Sequence, residues 1–285
     1  MSIKIIQERL ESYNITNWQE EERALKEIAQ EIALASLSRT DFFKHVQFQG
    51  GTALRVLYSL DRFSEDLDFL LQKSNPQFQL SAYLKTLEEE FQTYGMPFEA
   101  EDRSKTGEAV QKAFLKEDST GMLLTLQHRP RAGKSRKIKI KLEIDTNPPH
   151  GSMCEIKYLD FPYASAVIVQ DLPSLFAGKS HALLCREYVK GRDWYDFLWY
   201  VSRKIKINFN FLKNACQQQG PWKEKEMTVN KTWYLNEMKK RIKNIDWAEV
   251  KSDVIRFLKP REQETLKLWS EDFFLDRLQK IGEYL

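Results

Sequence analysis

No stretch of the 285-residue chain is both long and apolar enough to span a bilayer, so a helical membrane protein is not expected. The N-terminus, Met1 to Leu10, breaks up its apolar residues with Lys4, Glu8 and Arg9 and lacks the continuous apolar core of a signal peptide. Cysteine is scarce. Cys154, Cys185 and Cys216 are odd in number, widely spaced and in no Cys-x-x-Cys arrangement, which argues against a disulfide framework or a zinc site and for a reducing cytoplasm. All three are expected to be packing residues. The four histidines, His45, His128, His150 and His181, lie far apart and read as structural or surface residues. An excess of one charge is also missing: 44 Lys and Arg face 41 Asp and Glu, and a net charge of +3 cannot by itself argue for nucleic acid. There is no internal repeat and no low-complexity tract. With 42% hydrophobic residues, the chain can bury a core as one large domain or two modest ones.

The hydrophobic periodicity changes along the chain. From Asn17, a capping residue, acids in the first turn and apolar Leu25, Ile28, Ile32 and Ala35 predict a helix. A short helix follows from Asp41, then a strand over Val46 to Gln49, a glycine turn, a short helix through TALRVLYSL and a strand at DLDFLL. LSAYLKTLEEEFQTYG returns to helical spacing and stops at Gly95. FEAED, GMLLTLQH and RKIKIKLEID read as a meander of antiparallel strands. Beyond Asp171 the pattern is nearly all helical, beginning with an Asp cap and an early proline. The fold class expected is α+β, a mixed sheet with flanking helices over residues 1–171 and a helical part over 172–285.

The chemistry concentrates in FQGGTALRVLYSLDRFSEDLDFLL. Residues two apart in a strand share a face, so Asp66 and Asp68 project together while Leu67 and Phe69 enter the core. Two carboxylates side by side raise each other's pKa unless a cation intervenes, and Mg2+ is the usual hard ion for oxygen ligands. Gly50 and Gly51 allow close backbone approach and leave the N–H groups of Thr52 and Ala53 at a helix N-terminus, which suits a phosphate. In RKIKIKLEID, Ile138, Ile140, Leu142 and Ile144 face one way and Lys137, Lys139, Lys141, Glu143 and Asp145 the other. If that strand pairs beside the Asp66 strand, Asp145 becomes a third carboxylate, placed for a metal and for activating an attacking hydroxyl. Phosphoryl transfer across two ions would use such a set.

Gly-Gly, a short helix and Asp-x-Asp between apolar residues, with a later strand Asp, resemble the nucleotidyltransferase core of the DNA polymerase beta superfamily. The string GGTALR with RFSEDLDF, followed by AGKSHALLCREYVKGRDWYDF, is similar to the AbiEii-type toxins of toxin–antitoxin and phage-defence systems. The match spans roughly Phe48 to Phe197. The resemblance implies that Gly50, Gly51 and Thr52 form the nucleotide-phosphate turn with Ser64 as polar neighbour. Asp66, Asp68 and Asp145 would be metal ligands, Lys179 would contact the triphosphate, and Asp196 would be the acid of the last motif, supported by Arg192 and Asp193. It also implies a cytoplasmic Mg2+-dependent enzyme that transfers a nucleoside monophosphate from an NTP to the 3′ end of tRNA and is restrained by a separately encoded antitoxin.

Plainer readings exist for several of these residues. Trp194, Phe197, Leu198 and Val201 define a core face that would leave Asp193 and Asp196 off it, as exposed helix residues along with Lys179. Arg129, Arg131, Lys134, Arg136, Lys137, Lys139 and Lys141 could be a solvated hairpin or a strip that grips an RNA backbone. Other functions consistent with the sequence are nucleotidylation of a protein side chain, a non-catalytic RNA-binding or antitoxin-interacting protein, and a metal-dependent nuclease, although a nuclease would not need the phosphate-cradling turn.

Overall fold

The structure is a computed structural model that describes residues 2–13, 15–103, 118–128 and 136–285. It divides into two compact units: Met1–Ser59 with Ser64–Pro148 and Glu155–Val169, and Leu60–Phe63 with Pro149–Cys154 and Gln170–Leu285.

The first unit is built on a seven-stranded mixed sheet of β1 (Val46–Gln49), β2 (Leu67–Leu71), β3 (Phe98–Asp102), β4 (Ser119–His128), β5 (Arg136–Asp145), β6 (Cys154–Leu159) and β7 (Ser165–Gln170). Their order is β3-β4-β5-β2-β1-β7-β6. β3, β4 and β5 form the antiparallel meander read from the sequence. β5 also lies parallel to β2, and β2 is antiparallel to β1, so the two acid-bearing strands are neighbours. The helices of this unit are α1 (Ser2–Glu11), α2 (Trp18–Ser38), α3 (Phe42–His45), α4 (Gly50–Tyr58) and α5 (Leu84–Thr93). Asn17 starts α2 by accepting the Glu20 N–H at 3.0 Å, and beyond α5 Gly95 takes φ +68, a left-handed stop that glycine adopts without penalty.

The sheet's alternation becomes packing. Ile138, Ile140, Leu142 and Ile144 are all buried, as are Leu67 and Phe69. Phe69 meets Phe42 and Phe48 with ring centroids 5.1 and 5.2 Å apart. The helix α2 packs on α5 and β5, and Arg55 of α4 makes a paired contact with Glu27 of α2 at 2.7 and 3.2 Å. Through that ion pair the helix that follows the glycine turn is anchored at its far end.

The second unit is helical: α6 (Leu172–Cys185), α7 (Gly191–Ser202), α8 (Phe209–Gln218), α9 (Lys231–Lys243), α10 (Trp247–Val254), α11 (Pro260–Gln263) and α12 (Glu271–Gly282). Asp171 caps α6 through the Ser174 N–H at 2.9 Å, with Pro173 in the first turn. The core is aromatic: Trp194 of α7 lies 5.0 Å from Trp247 and 5.2 Å from Phe274, and Phe176 stacks on Tyr200 at 4.4 Å. Gly191 faces the backbone of Val250 so closely that a Cβ would collide with it, so α7 and α10 cross where only glycine fits. Among the described residues no helix is long and apolar enough to cross a membrane. Only Cys216 of the cysteines is buried. Cys154 is exposed and Cys185 half-buried, so packing does not account for all three.

Candidate active site

The acidic strand and the glycine turn meet as the sequence implied. Gly50 follows β1 with φ +80, and a Cβ built there would lie 2.7 Å from Asp68 Oδ2 and 3.2 Å from Asp68 Cβ. The α4 N-terminus therefore opens directly against the Asp68 carboxylate, and only a residue without a side chain leaves that space. Gln49, the residue before α4, makes no side-chain cap, so the first-turn N–H groups are not closed off by it.

Thr52 and Ser64 lie on the inner side of this arrangement. Thr52 is fully buried and donates its hydroxyl proton to the Asp66 carbonyl. Its Oγ1 also lies 2.9 Å from the Ser64 hydroxyl, and since the Thr52 proton is committed to the carbonyl, Ser64 is the donor of that pair. Gln30, buried in α2, donates to the Ser64 carbonyl at 3.3 Å. The chain ahead of β2 is thus pinned from behind by two hydroxyls and an amide. What Thr52 can offer a nucleotide is its backbone N–H, since its side chain is spent on holding Asp66.

Asp66 stands one residue ahead of β2 and Asp68 within it, both half-buried. In the β2–β5 register Asp68 is paired with Glu143 and Leu70 with Asp145. At about 4.8 Å between strands and 3.3 Å per residue, Glu143 faces Asp68 directly, whereas Asp145 lies two residues further along. Asp145 is half-buried and accepts the Asn147 N–H at 3.0 Å, capping the turn that leaves β5. Glu143 is buried at 6% exposure, pairs with Lys141 at 2.5 Å and accepts a long hydrogen bond of 3.5 Å from Ser119. Glu143 was not singled out as a ligand, though it carries the same local signature as Asp68: an acid between two core residues, Leu142 and Ile144. The fit to a hard divalent cation rests on the Gly50 gap beside Asp68 and on an all-oxygen donor set on one strand face.

Lys179 and Asp196 belong to the second unit. Lys179 Nζ lies 2.7 Å from Asp193 Oδ1 and 2.8 Å from Asp196 Oδ2, and Arg186 also pairs with Asp193. Asp196 is fully buried and takes a two-pronged bond from the buried Arg62, at 2.6 and 2.7 Å. Asp193 and Asp196 are therefore interior residues, which removes the plainer alternative that the α7 core face leaves them exposed. Lys179 bridges the two carboxylates. Burial alone would raise the Asp193 carboxyl, but Lys179 and then Arg186 outweigh it and hold it at about 2. Arg62, the first residue of RFSEDLDF, is the partner the sequence reading passed over. A lone arginine in a loop carries no periodic signal of burial.

Of the basic strip, Arg129, Arg131 and Lys134 lie outside the described residues, as does the Arg136 side chain. Lys137 and Lys139 are exposed, and Lys141 is committed to Glu143.

A mixed sheet with a glycine-opened helix against an Asp-x-Asp strand defines a nucleotidyltransferase-type core, and solved structures share the fold. The chain is similar to JHP933 from Helicobacter pylori, with 16% identity, a TM-score of 0.53 and 92% of each chain covered. It is likewise similar to a second H. pylori structure, described as a candidate nucleotidyltransferase, with 16% identity, a TM-score of 0.52 and coverage of 91% of this chain and 94% of that one. A comparison with curated proteins found no significant relative. Residues 32–277 match the family of AbiEii nucleotidyl transferase toxins of type IV toxin–antitoxin systems, and the chain belongs to that family. It is therefore a nucleotidyltransferase, of a family that generally uses a divalent metal and an NTP and whose setting implies an antitoxin partner.

Proposed function

We propose that the chain transfers a nucleoside monophosphate from an NTP to the 3′ end of tRNA, as the toxin of a toxin–antitoxin or phage-defence system. The reading rests above all on the Gly50 backbone lying against the Asp68 carboxylate at the start of α4, which juxtaposes a phosphate-binding helix end and a metal ligand. In the reaction, the acceptor hydroxyl oxygen bonds to the α-phosphorus, the bond from that phosphorus to the bridging oxygen of the β-phosphate breaks, and pyrophosphate leaves. Asp66 and Asp68 would hold Mg2+, two ions in our reading, which when bound neutralises charge on the triphosphate and lowers the pKa of a coordinated hydroxyl.

The chain's own residues do the rest. Gly50 and Gly51 admit the phosphates to the N–H groups of α4, while Thr52 and Ser64 fix the Asp66 backbone so that its carboxylate need not reorganise. A third carboxylate from β5 receives the acceptor proton. We assign it to Glu143, straight across from Asp68, with Asp145 flanking it. Lys179, an ammonium with three donors of which Asp193 and Asp196 take two, is assigned to the departing pyrophosphate. Asp196, held by Arg62, positions that lysine. In this reading residues 1–171 carry the carboxylates and the phosphate turn, and residues 172–285 form the helical part, which contributes Lys179.

The test is incorporation of each α-labelled NTP into total tRNA with Mg2+, comparing the native chain with Asp66→Asn and Asp68→Asn. Label in tRNA that both variants abolish is the expected result. Label in protein, or in neither macromolecule, would overturn the tRNA assignment.

A further inference from the structure

The second unit gathers three side chains that the sequence scatters. His181 and Cys185 are four residues apart on α6, so they stand one turn apart on the same face. Cys216 comes from α8, which packs against α6. A ring nitrogen of His181 and the sulfurs of Cys185 and Cys216 all lie within 4.8 Å of one another. Among the described residues this is the one group of three potential ligands so gathered, a proximity that spacing along the chain does not reveal.

We propose that His181, Cys185 and Cys216 form a zinc-binding site that clamps α6 to α8. Ligands around a tetrahedral zinc, at about 2.3 Å for sulfur and 2.0 Å for nitrogen, stand roughly 3.5–3.8 Å apart, so small side-chain rotations complete the geometry. The donor set is nitrogen and sulfur, which selects zinc over the hard cations suited to the oxygen ligands of the first unit.

The surroundings are those of a ligand set. His181 Nε2 lies 3.0 Å from the Gln219 carbonyl. A carbonyl only accepts, so Nε2 carries the proton and Nδ1 has the lone pair that a metal would take. A backbone carbonyl fixing the tautomer in this way is the usual outer partner of a zinc-bound histidine. The chain just after α8 closes over the sulfur at Gly220, which has φ +104 and where a Cβ would lie 2.8 Å from both the Cβ and the Sγ of Cys185. Cys216 is buried while Cys185 and His181 are half-exposed, so a zinc ion held by three protein ligands would have a fourth position open to water. Two thiolates cancel the charge of the ion, so the nearby Arg241 imposes little penalty.

The test uses the full chain, reduced and freed of metal, titrated with Co2+ and Zn2+. One equivalent of Co2+ should bind with a thiolate-to-cobalt charge-transfer band and the intense visible bands of a tetrahedral site, and Zn2+ should displace it. Saturating Zn2+ should raise the melting temperature by about 5 °C. Cys185→Ser and His181→Asn should each weaken Zn2+ binding at least about tenfold while keeping the native circular dichroism. These two positions are half-exposed, so the result does not depend on whether the buried Cys216 tolerates change. Three outcomes would overturn the proposal: Co2+ binding without the charge-transfer band, unchanged Zn2+ affinity in Cys185→Ser, or no binding. Ready formation of a Cys185–Cys216 disulfide by a chain that takes up no zinc would assign the pair to redox chemistry instead.

Discussion

At Gly50 a methyl group would combine two costs: a left-handed backbone that alanine resists and a contact 2.7 Å from Asp68 Oδ2. Gly50→Ala is therefore expected to lose about 1–3 kcal/mol of stability and, because Asp68 must move to admit the methyl, at least about 100-fold in nucleotidyl transfer. Urea unfolding read alongside the labelled-NTP assay separates the two effects, and a stable Gly50→Ala chain with normal activity would remove the close approach from the mechanism. The acids of β5 can be told apart in the same assay. Glu143→Gln leaves the side-chain volume nearly unchanged but removes the charge opposite Asp68, so its activity should fall by at least about 100-fold. Asp145→Asn retains an acceptor for the Asn147 N–H and should cost roughly tenfold or less. The reverse order would return the third carboxylate to Asp145. The sequence could not decide between them, because alternation tells which face a residue occupies while the pairing register tells which residue it meets. Asp68 and Asp145 share a face in either case, and only the register brings Glu143 between them.

Elements with a strong period were legible in the sequence. The capped start of α2, the two strands that carry the acids, the β3–β4–β5 meander and the Asp171 cap of α6 all follow from local patterns, and each is present. Contacts between elements distant in the chain were not legible, and the pairing of β5 beside β2 stayed a condition. Arg62 and Asp196 are separated by 134 residues, and the ion cluster they form with Lys179 has no signature in either segment. Cys216 is likewise on a different helix from His181 and Cys185, so spacing along the chain argued against the group that packing assembles. The strand β5 carries a prediction of its own. Its exposed Lys137 and Lys139 lie on the polar face leading toward Glu143, where an RNA backbone would run if tRNA is the acceptor. Lys137→Glu with Lys139→Glu should raise the KM for tRNA about tenfold or more, leave the KM for NTP unchanged, and make the dependence of log KM on log salt shallower by about one unit per lost phosphate contact. Equal KM values for tRNA in the variant and native chains would make this strip a solvated hairpin.

For the whole molecule, a net charge of +3 means that stability depends on particular buried charges more than on overall self-repulsion. Asp193 is the clearest of these. Its carboxyl is held at about 2 against an ordinary 3.8, by Lys179 and Arg186 acting against burial. A carboxyl with a depressed folded-state pKa contributes stability that is present above its unfolded value and is lost as pH falls through the folded one. The window is therefore about pH 4 down to about pH 2, and the contribution is about 2 kcal/mol. Six of the seven tryptophans lie in the second unit, all but Trp18, so indole fluorescence reports on that unit while the circular dichroism of the strands reports on the first. The urea midpoint read by fluorescence should fall across this pH window in the native chain. In Asp193→Asn it should already be lowered at pH 7, reflecting a stability loss of about 3–5 kcal/mol because Lys179 and Arg186 lose a buried partner, and it should change less with acid. A dichroism transition that keeps pace with the fluorescence would mean that the two units unfold as one cooperative body. If it lags behind, the ion cluster of α6 and α7 governs the helical unit alone.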